Sequence, residues 1–202
     1  PVQVRQPDGS PLTGISEVEV GSRFACAVAM DGGVWCWGDN YYGQTGTGKL
    51  GDDSRYVYGA TRVVAGEQKD GDYLGNVVSI SLSRNSACAL TISGQAFCWG
   101  DNTSKQLGAD LPEHDNYKAF AGVTMSDGTS LPQSEGFALK AVPYPVAVAI
   151  PGSLGLTTLV AGDWAFCALA DVSSASDKHN LFCWGNDSTG LLTVQGIIVR
   201  NT

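Results

Sequence analysis

A chain of 202 residues can bury a sizeable core, and its length admits one or two domains. Its net charge of −8 argues against nucleic acid and anionic membrane as partners, since both demand a basic surface. No run approaches about 18 consecutive apolar residues, so no direct membrane insertion is expected. No basic start followed by an apolar stretch opens the chain, so no signal peptide is expected, and Pro1 reads as a trimmed or excised start. The 26 glycines and the near absence of helix-forming patterns predict short strands joined by turns.

In chain order, extended segments stand at Pro1–Val4, Ala60–Val64 and Tyr144–Val148, with the trace of a further one at Thr193–Val199. They read as the openings of successive units. Each is followed by a turn-rich or polar link and then by a short strand: Ile15–Val20, Val77–Leu82 and Leu156–Val160. In the second of these, Val78, Ile80 and Leu82 alternate with serines, the period of a strand with two unlike faces. A small turn then leads into a repeated stretch. Cys26-Ala27-Val28 to Trp35-Cys36-Trp37-Gly38-Asp39-Asn40 recurs as Cys88-Ala89-Leu90 to Phe97-Cys98-Trp99-Gly100-Asp101-Asn102, and again as Cys167-Ala168-Leu169 and Phe182-Cys183-Trp184-Gly185-Asn186 around a longer polar loop at 170–180. A recurrence of this kind governs the fold.

The three copies account for all six cysteines. Six cysteines allow 15 connectivities, but the repeat favours Cys26–Cys36, Cys88–Cys98 and Cys167–Cys183. Such bridges persist outside the cytosol. Zinc binding would call for shorter spacings or nearby histidines, and His114 and His179 are expected in unrelated loops. Buried free thiols are the remaining reading. With Cys26 opposite Cys36, Ala27 faces Trp35 and Ala25 faces Trp37. Likewise Ala89 faces Phe97, Ala87 faces Trp99, Ala168 faces Phe182 and Phe166 faces Trp184. Aromatics then oppose mostly small residues on one face of each hairpin while the cystine sits on the other, and such pairs pin register. The aromatics are expected to form the contacts between units.

A polar turn closes each copy: Asp39–Gly46, Asp101–Gly108 and Asn186–Leu192. The repeated Asp-Asn suits bonding back to turn backbone rather than catalysis. Residues 109–143 lack the repeat pattern and form a long insertion, a kind of loop that is usually functional or disordered. It carries Tyr117 and Phe120.

The Cys-Ala-Val/Leu start, the Gly turn, the aromatic-Cys-Trp-Gly-Asp-Asn run and Gly43-Gln44-Thr45-Gly46-Thr47-Gly48 resemble the RCC1-type repeat, named after the regulator of chromosome condensation. The resemblance spans most of the chain outside 109–143. It implies an all-β fold of β-propeller-type blades, four strands each. The paired cysteines are similar to the secreted bacterial branch of that family rather than the nuclear one. Phe24, Ser86 and Ala165 stand where the family often has His, and the third unit ends Gly190-Leu191-Leu192 rather than in a Gly-Gln-Leu-Gly turn. The family usually has seven blades. Three make an incomplete propeller with open sheet faces, so the chain is either part of a longer ring, an assembling copy, a ring completed by its insertion, or a domain that never closes. The expected layout is a single repeat domain over 1–202, with repeats at 1–59, 60–108 and 144–192, the insertion at 109–143 and the start of a further strand at 193–202.

No nucleophile–base set is visible. The acidic segments 51–54 and 70–72 lack EF-hand spacing and read as solvated loops. Gly43-x-x-Gly46-x-Gly48 lacks the context of a phosphate loop. No cofactor or metal is expected. Tyr41, Tyr42, Tyr56 and Tyr58 lie in polar segments, and tyrosine is enriched at interfaces. With Tyr117 and Phe120 they are the candidate binding residues. The expected function is an extracellular, secreted or cell-surface binding module, not an enzyme, that contacts a protein or glycan through rim loops and the insertion. The alternative is a structural subunit of an extracellular fibre or surface assembly, joining copies of itself through open blade edges. Nucleotide exchange or chromatin binding, by analogy with nuclear relatives, is disfavoured by the acidity and the paired cysteines.

Overall fold

The computed structural model describes residues 1–49, 54–109, 141–150, 154–171, 179–188 and 192. Strands β1 (Ile15–Val20), β2 (Phe24–Ala29), β3 (Val34–Asp39) and β4 (Tyr56–Arg62) form a first antiparallel sheet in that order. The second sheet runs β5 (Val77–Leu82), β6 (Ser86–Thr91), β7 (Ala96–Asp101) and β8 (Ala141–Ala147). The third contains β9 (Leu156–Ala161), β10 (Ala165–Asp171) and β11 (His179–Gly185). The segment 193–202 and nearly all of the insertion, with Tyr117, Phe120 and His114, lie outside the described residues, as does the middle of the third hairpin loop.

The hairpin register is the one the cysteines dictate. Cys26 pairs with Cys36, Cys88 with Cys98 and Cys167 with Cys183, and all three pairs are bridged. Their Cα atoms stand 4.0–4.1 Å apart, the close approach of directly opposed residues that do not exchange backbone hydrogen bonds. Ala27–Trp35, Ala25–Trp37, Ala89–Phe97, Ala87–Trp99, Ala168–Phe182 and Phe166–Trp184 are the flanking pairs.

Unit boundaries differ from those read in the sequence. The sequence reads the extended Ala60–Val64 and Tyr144–Val148 as openings of new units. The structure hydrogen-bonds β4 to β3 and β8 to β7, so each closes the sheet before it. The expected borders at 59/60 and 143/144 therefore fall inside strands, because an extended segment has the same sequence signature at either edge of a sheet. Pro1–Val4 joins none of the described sheets; the segment that follows it folds back at an Arg5–Pro11 bridge and lies against β4, where Ala60 N–H donates to the Arg5 carbonyl. His179 begins a strand rather than lying in a loop.

Sheets pack through unlike faces. Between the first and second, Cys26, Cys36, Val28 and Val34 meet Ala87, Ala89, Phe97, Trp99 and Ile80. Between the second and third, Cys88, Cys98, Leu90 and Ala96 meet Phe166, Ala168 and Leu159, with Phe182 and Trp184 half-buried beside them. The cystine face of one sheet thus covers the aromatic face of the next. The first strands of the sheets lie side by side at one edge. There the Glu17 carboxylate accepts from the Ser79 hydroxyl and the Ile80 N–H, both at 3.3 Å, and the Ser81 hydroxyl donates to the Leu159 carbonyl.

The expectation that every hairpin aromatic is buried between units holds for Phe97 and Trp99 but not for Trp35, Trp37, Phe182 and Trp184, which are half-buried. The sheet of Trp35 and Trp37 has no described neighbour on that side.

Two predictions follow from this packing. Cys26, Cys36, Cys88 and Cys98 have no exposed surface, whereas Cys167 and Cys183 are half-buried. Thiol exchange needs access to sulfur. Graded reduction followed by alkylation and peptide mapping is expected to open Cys167–Cys183 first; simultaneous opening would contradict this. Burial pushes the Glu17 carboxyl above the usual glutamate range, against the lowering influence of its two hydrogen bonds. A carboxyl whose folded value exceeds its unfolded one takes up its proton on folding between the two, so its favourable contribution is lost as pH rises through the folded value. The stability of the native chain relative to Glu17→Gln is expected to fall, in urea denaturation, as pH rises from the ordinary glutamate range through the raised folded value.

Candidate binding site: a tyrosine–arginine cluster on the first sheet

The polar turn after β3 is held by one buried side chain. Asn40 has no exposed surface; its amide donates to the Lys49 carbonyl at 2.9 Å and to the Ser54 carbonyl at 3.0 Å. Its side-chain oxygen accepts from the Thr45 N–H at 3.0 Å and from the Thr45 hydroxyl. Asp39 accepts from the Tyr41 N–H, and the Gln44 side chain accepts from the Tyr42 N–H at 2.8 Å. These are bonds of turn-forming Asx residues to nearby backbone. They are repeated in the second unit, where Asp101 accepts from Thr103, Gln106 from Ser104 and Asn102 from Leu107.

This turn fixes Tyr41 and Tyr42, whose rings meet edge to face with centroids 5.2 Å apart. The Asn40 N–H donates to the Arg55 carbonyl, which brings the start of β4 beside the turn. The Arg55 guanidinium then lies 5.4 Å from the Tyr41 ring and 5.5 Å from the Tyr56 ring. Tyr56 and Tyr58 sit two residues apart on β4, centroids 6.1 Å apart. Tyr42, Tyr41, Arg55, Tyr56 and Tyr58 therefore make one continuous line, with Tyr56 and Tyr58 exposed and the others half-buried. The sequence expectation placed Tyr56 and Tyr58 in a polar loop; the structure places them on an edge strand, where alternation turns both to the same side.

Sequence reading missed Arg55. Its signal was available, since Arg55-Tyr56 directly precedes an aromatic alternation. The Arg55 Nε is buried without a hydrogen-bond partner among the described residues. A guanidinium held between two rings is attracted by their faces, by about 0.5–1 kcal/mol at exposed sites, and it keeps a fork of donors for an anionic or carbonyl group. A second such arrangement, Arg62 over Trp35 and Tyr73, lies on the same sheet. A shallow cleft of about 460 Å³ lies where the first hairpin turns meet, with Ser22, Ser83, Arg84 and Asp163 at its wall. Among the described residues no three His, Cys, Asp or Glu side chains gather as metal ligands would. The acidic segment 51–53 and the candidates Tyr117 and Phe120 fall outside the described residues.

The family model of the regulator of chromosome condensation (RCC1) repeat matches residues 15–44 and 77–106, which cover the first three strands and most of the closing turn of the first two sheets. Among curated proteins, the chain is 32% identical over 95 residues to the human E3 ubiquitin-protein ligase HERC2 and 30% identical over 95 residues to that of Mus musculus. Each match covers 47% of this chain and 2% of the ligase. Among solved structures, human WBSCR16 superposes with a TM-score of 0.59 at 16% identity, over 85% of this chain and 33% of that one. Yeast RCC1 (Prp20), bound to Kap60, gives 0.56 at 19%, over 86% and 32%. Prp20p from Saccharomyces cerevisiae, studied with its binding to Gsp1p and histones, gives 0.57 at 20%, over 86% and 34%. The chain spans about a third of the length of these structures and a small fraction of the ligases.

Replacing Asn40 with alanine removes two donors and an acceptor inside a buried turn. Leaving such groups unpaired costs roughly 1–3 kcal/mol. Asn40→Ala is expected to lower stability by that amount in urea denaturation and to expose Tyr41 and Tyr42 to faster chemical iodination, while an exposed control such as Met30→Ala changes neither.

Proposed function

We propose that this chain, whose first two sheets match the RCC1 repeat and whose blades are of the β-propeller type, is an extracellular, non-enzymatic module that binds a protein through the rim of its first sheet. The observation that carries this reading is the line Tyr41, Tyr42, Arg55 and Tyr56, with Tyr58 at its end. Tyrosine and arginine are the side chains that dominate binding hot spots, because they supply rigid area and directed donors at small entropic cost. In a chain of net charge −8, an arginine bracketed by rings favours a partner that brings a carboxylate or carbonyl to it. The yeast relatives are described with protein partners, which supports a protein ligand here by analogy of scaffold. A glycan stacking on the exposed rings of Tyr56 and Tyr58 is the other ligand class for this surface. Three disulfides suggest an oxidising environment, and among the described residues no helix is long and apolar enough to cross a membrane. Secretion, and the contribution of Tyr117, Phe120 and the rest of the insertion to the contact surface, belong to the same proposal.

A self-joining structural subunit of an extracellular assembly is the second reading. Its supporting observation is that no described sheet packs on the outer faces of the first and third sheets, where Val18 and Leu181 are exposed.

Printed peptide and glycan arrays, probed with the folded chain and with Tyr41→Ala/Arg55→Ala/Tyr56→Ala, test the module. Binding to peptides that falls at least tenfold in the triple variant is expected, equivalent to about 1.4 kcal/mol. Peptide binding that the triple variant retains, or binding confined to glycans, would overturn the protein-binding assignment.

A further inference from the structure

The turns between the first two strands of the three sheets share one backbone. Val20 pairs with Ala25 as Leu82 pairs with Ala87 and Ala161 with Phe166, so the turns that join these pairs are equivalent. Each is closed by the same bond. The Gly21 N–H donates to the Phe24 carbonyl at 2.9 Å, the Ser83 N–H to the Ser86 carbonyl at 2.9 Å and the Gly162 N–H to the Ala165 carbonyl at 2.8 Å. The carbonyl that ends each turn is also used alike: Arg23 accepts from the Asp39 N–H, Asn85 from the Asp101 N–H and Trp164 from the Asn186 N–H. The residue in the middle is Ser22, Arg84 or Asp163, and its side chain takes no part in closing the turn. The turns also hold one another. The Ser22 N–H donates to the Arg84 carbonyl at 3.4 Å, and the Arg84 N–H to the Asp163 carbonyl at 3.1 Å. Equivalent residues of successive sheets are thus one hydrogen bond apart, and they carry a hydroxyl, a guanidinium and a carboxylate.

These three residues stand at the wall of the shallow cleft of about 460 Å³ where the turns meet, and all three are exposed. The two charges do not settle on each other. The Arg84 guanidinium lies 5.2 Å from the centroid of the Trp164 ring, and among the described residues the Asp163 carboxylate has no hydrogen-bond or ion-pair partner. Stacking on an indole face orients the guanidinium plane and leaves its edge donors open. Val20 and Leu82, at the ends of the first strands, add apolar surface beside these groups. A simple anion drawn to Arg84 meets the like charge of Asp163, and a simple cation drawn to Asp163 meets Arg84. A ligand with both charges meets an opposite charge at each end, so the pair selects it over either single ion.

We propose that this cleft binds a small zwitterion of the amino-acid type, with its carboxylate on the Arg84 guanidinium, its ammonium on the Asp163 carboxylate and its carbon chain over Val20 and Leu82. The Ser22 hydroxyl stands one turn away from Arg84 as a further donor to the ligand carboxylate. An exposed ion pair contributes little by itself. Joining both charges in one molecule makes the second contact intramolecular, so the two together hold a ligand that neither holds alone. The site shares no residue with the line of tyrosines and Arg55 on the first sheet, so this inference and the protein-binding reading fail separately.

The full chain, nitrogen-labelled for amide NMR, is titrated with glycine, β-alanine, γ-aminobutyrate and ε-aminocaproate, and with butyrate and butylammonium as single-charge controls. Shifts are expected at the amides of Ser22, Arg84 and Asp163 and at the Trp164 indole. The best-fitting zwitterion is expected to bind about tenfold more tightly than either control. Arg84→Gln and Asp163→Asn are each expected to bring it down to the level of the controls. Both side chains are exposed and neither closes its turn, so the variants are expected to keep the native spectrum elsewhere. Asp163→Asn is also expected to raise the affinity for butyrate while lowering that for the zwitterion, a reversal that loss of folding cannot produce. Butyrate that binds the native chain as well as γ-aminobutyrate does would make the cleft a simple anion site and overturn the proposal. Zwitterions that leave these amides unmoved, or binding that survives both substitutions, would overturn it as well.

Discussion

The packing of a cystine face against an alanine-and-aromatic face is the contact on which the described structure depends. Each hairpin puts its disulfide on one side and its tryptophan on the other, so a sheet has two faces that cannot replace each other. The small residues Ala87 and Ala89 leave room for the neighbouring sheet, whose Cys26, Cys36 and Val28 are fully enclosed there. Truncating a buried tryptophan such as Trp99 costs roughly 3–5 kcal/mol, and closing a hairpin-sized loop by a bridge contributes roughly 3 kcal/mol in the chain-entropy account. The two are of similar size. The bridge stiffens each sheet from within, and the indole joins it to the one before. Stability in such an array is close to a sum of unit and nearest-neighbour terms, and a sheet at the end of the array is missing one of them.

Much of this was legible in the sequence, for a definite reason. Cysteines ten apart fix a two-strand register, and a strand's side chains alternate, so placing Cys26 opposite Cys36 also places Trp35, Trp37, Ala25 and Ala27. The order of sheet edges was not legible. Ala60–Val64 carries the alternation of an extended segment, but alternation does not say which neighbour a strand bonds to, and β4 closes the first sheet rather than opening the second. The burial of Trp37 was over-read for a related reason: identical motifs predict identical contacts only when each has the same neighbours. The tyrosines were found through composition, yet the arginine that joins them was not, because cation–π geometry depends on the Asn40 turn folding back onto β4.

That turn shows how the scaffold turns a structural repeat into a presenting surface. In the second unit the same bonds from Asp101, Asn102 and Gln106 hold Thr103 and Ser104, small polar residues with no aromatic surface. In the first unit the framework holds Tyr41 and Tyr42 instead. The turn backbone is satisfied by Asn and Gln side chains in both cases, Asn40, Gln44 and Gln106 buried and Asn102 half-buried, so the two outward positions do not carry the turn. A surface built this way is ordered before any partner arrives, which lowers the entropic cost of contact. Burial in the second unit, where it pushes the Asp101 carboxyl above the ordinary aspartate range, shows how far these turns are withdrawn from water.

The two outer faces of the described sheets are therefore not equivalent liabilities. The first exposes Val18, whose counterparts Ile80 and Leu159 are buried under the preceding sheet. The third exposes Leu181, whose counterparts Val34 and Ala96 are buried under the aromatic face that follows. Head-to-tail joining of such unlike faces is heterologous, and unless the rotation closes it generates open chains of copies. A repeat protein that leaves both faces available needs something to stop indefinite growth.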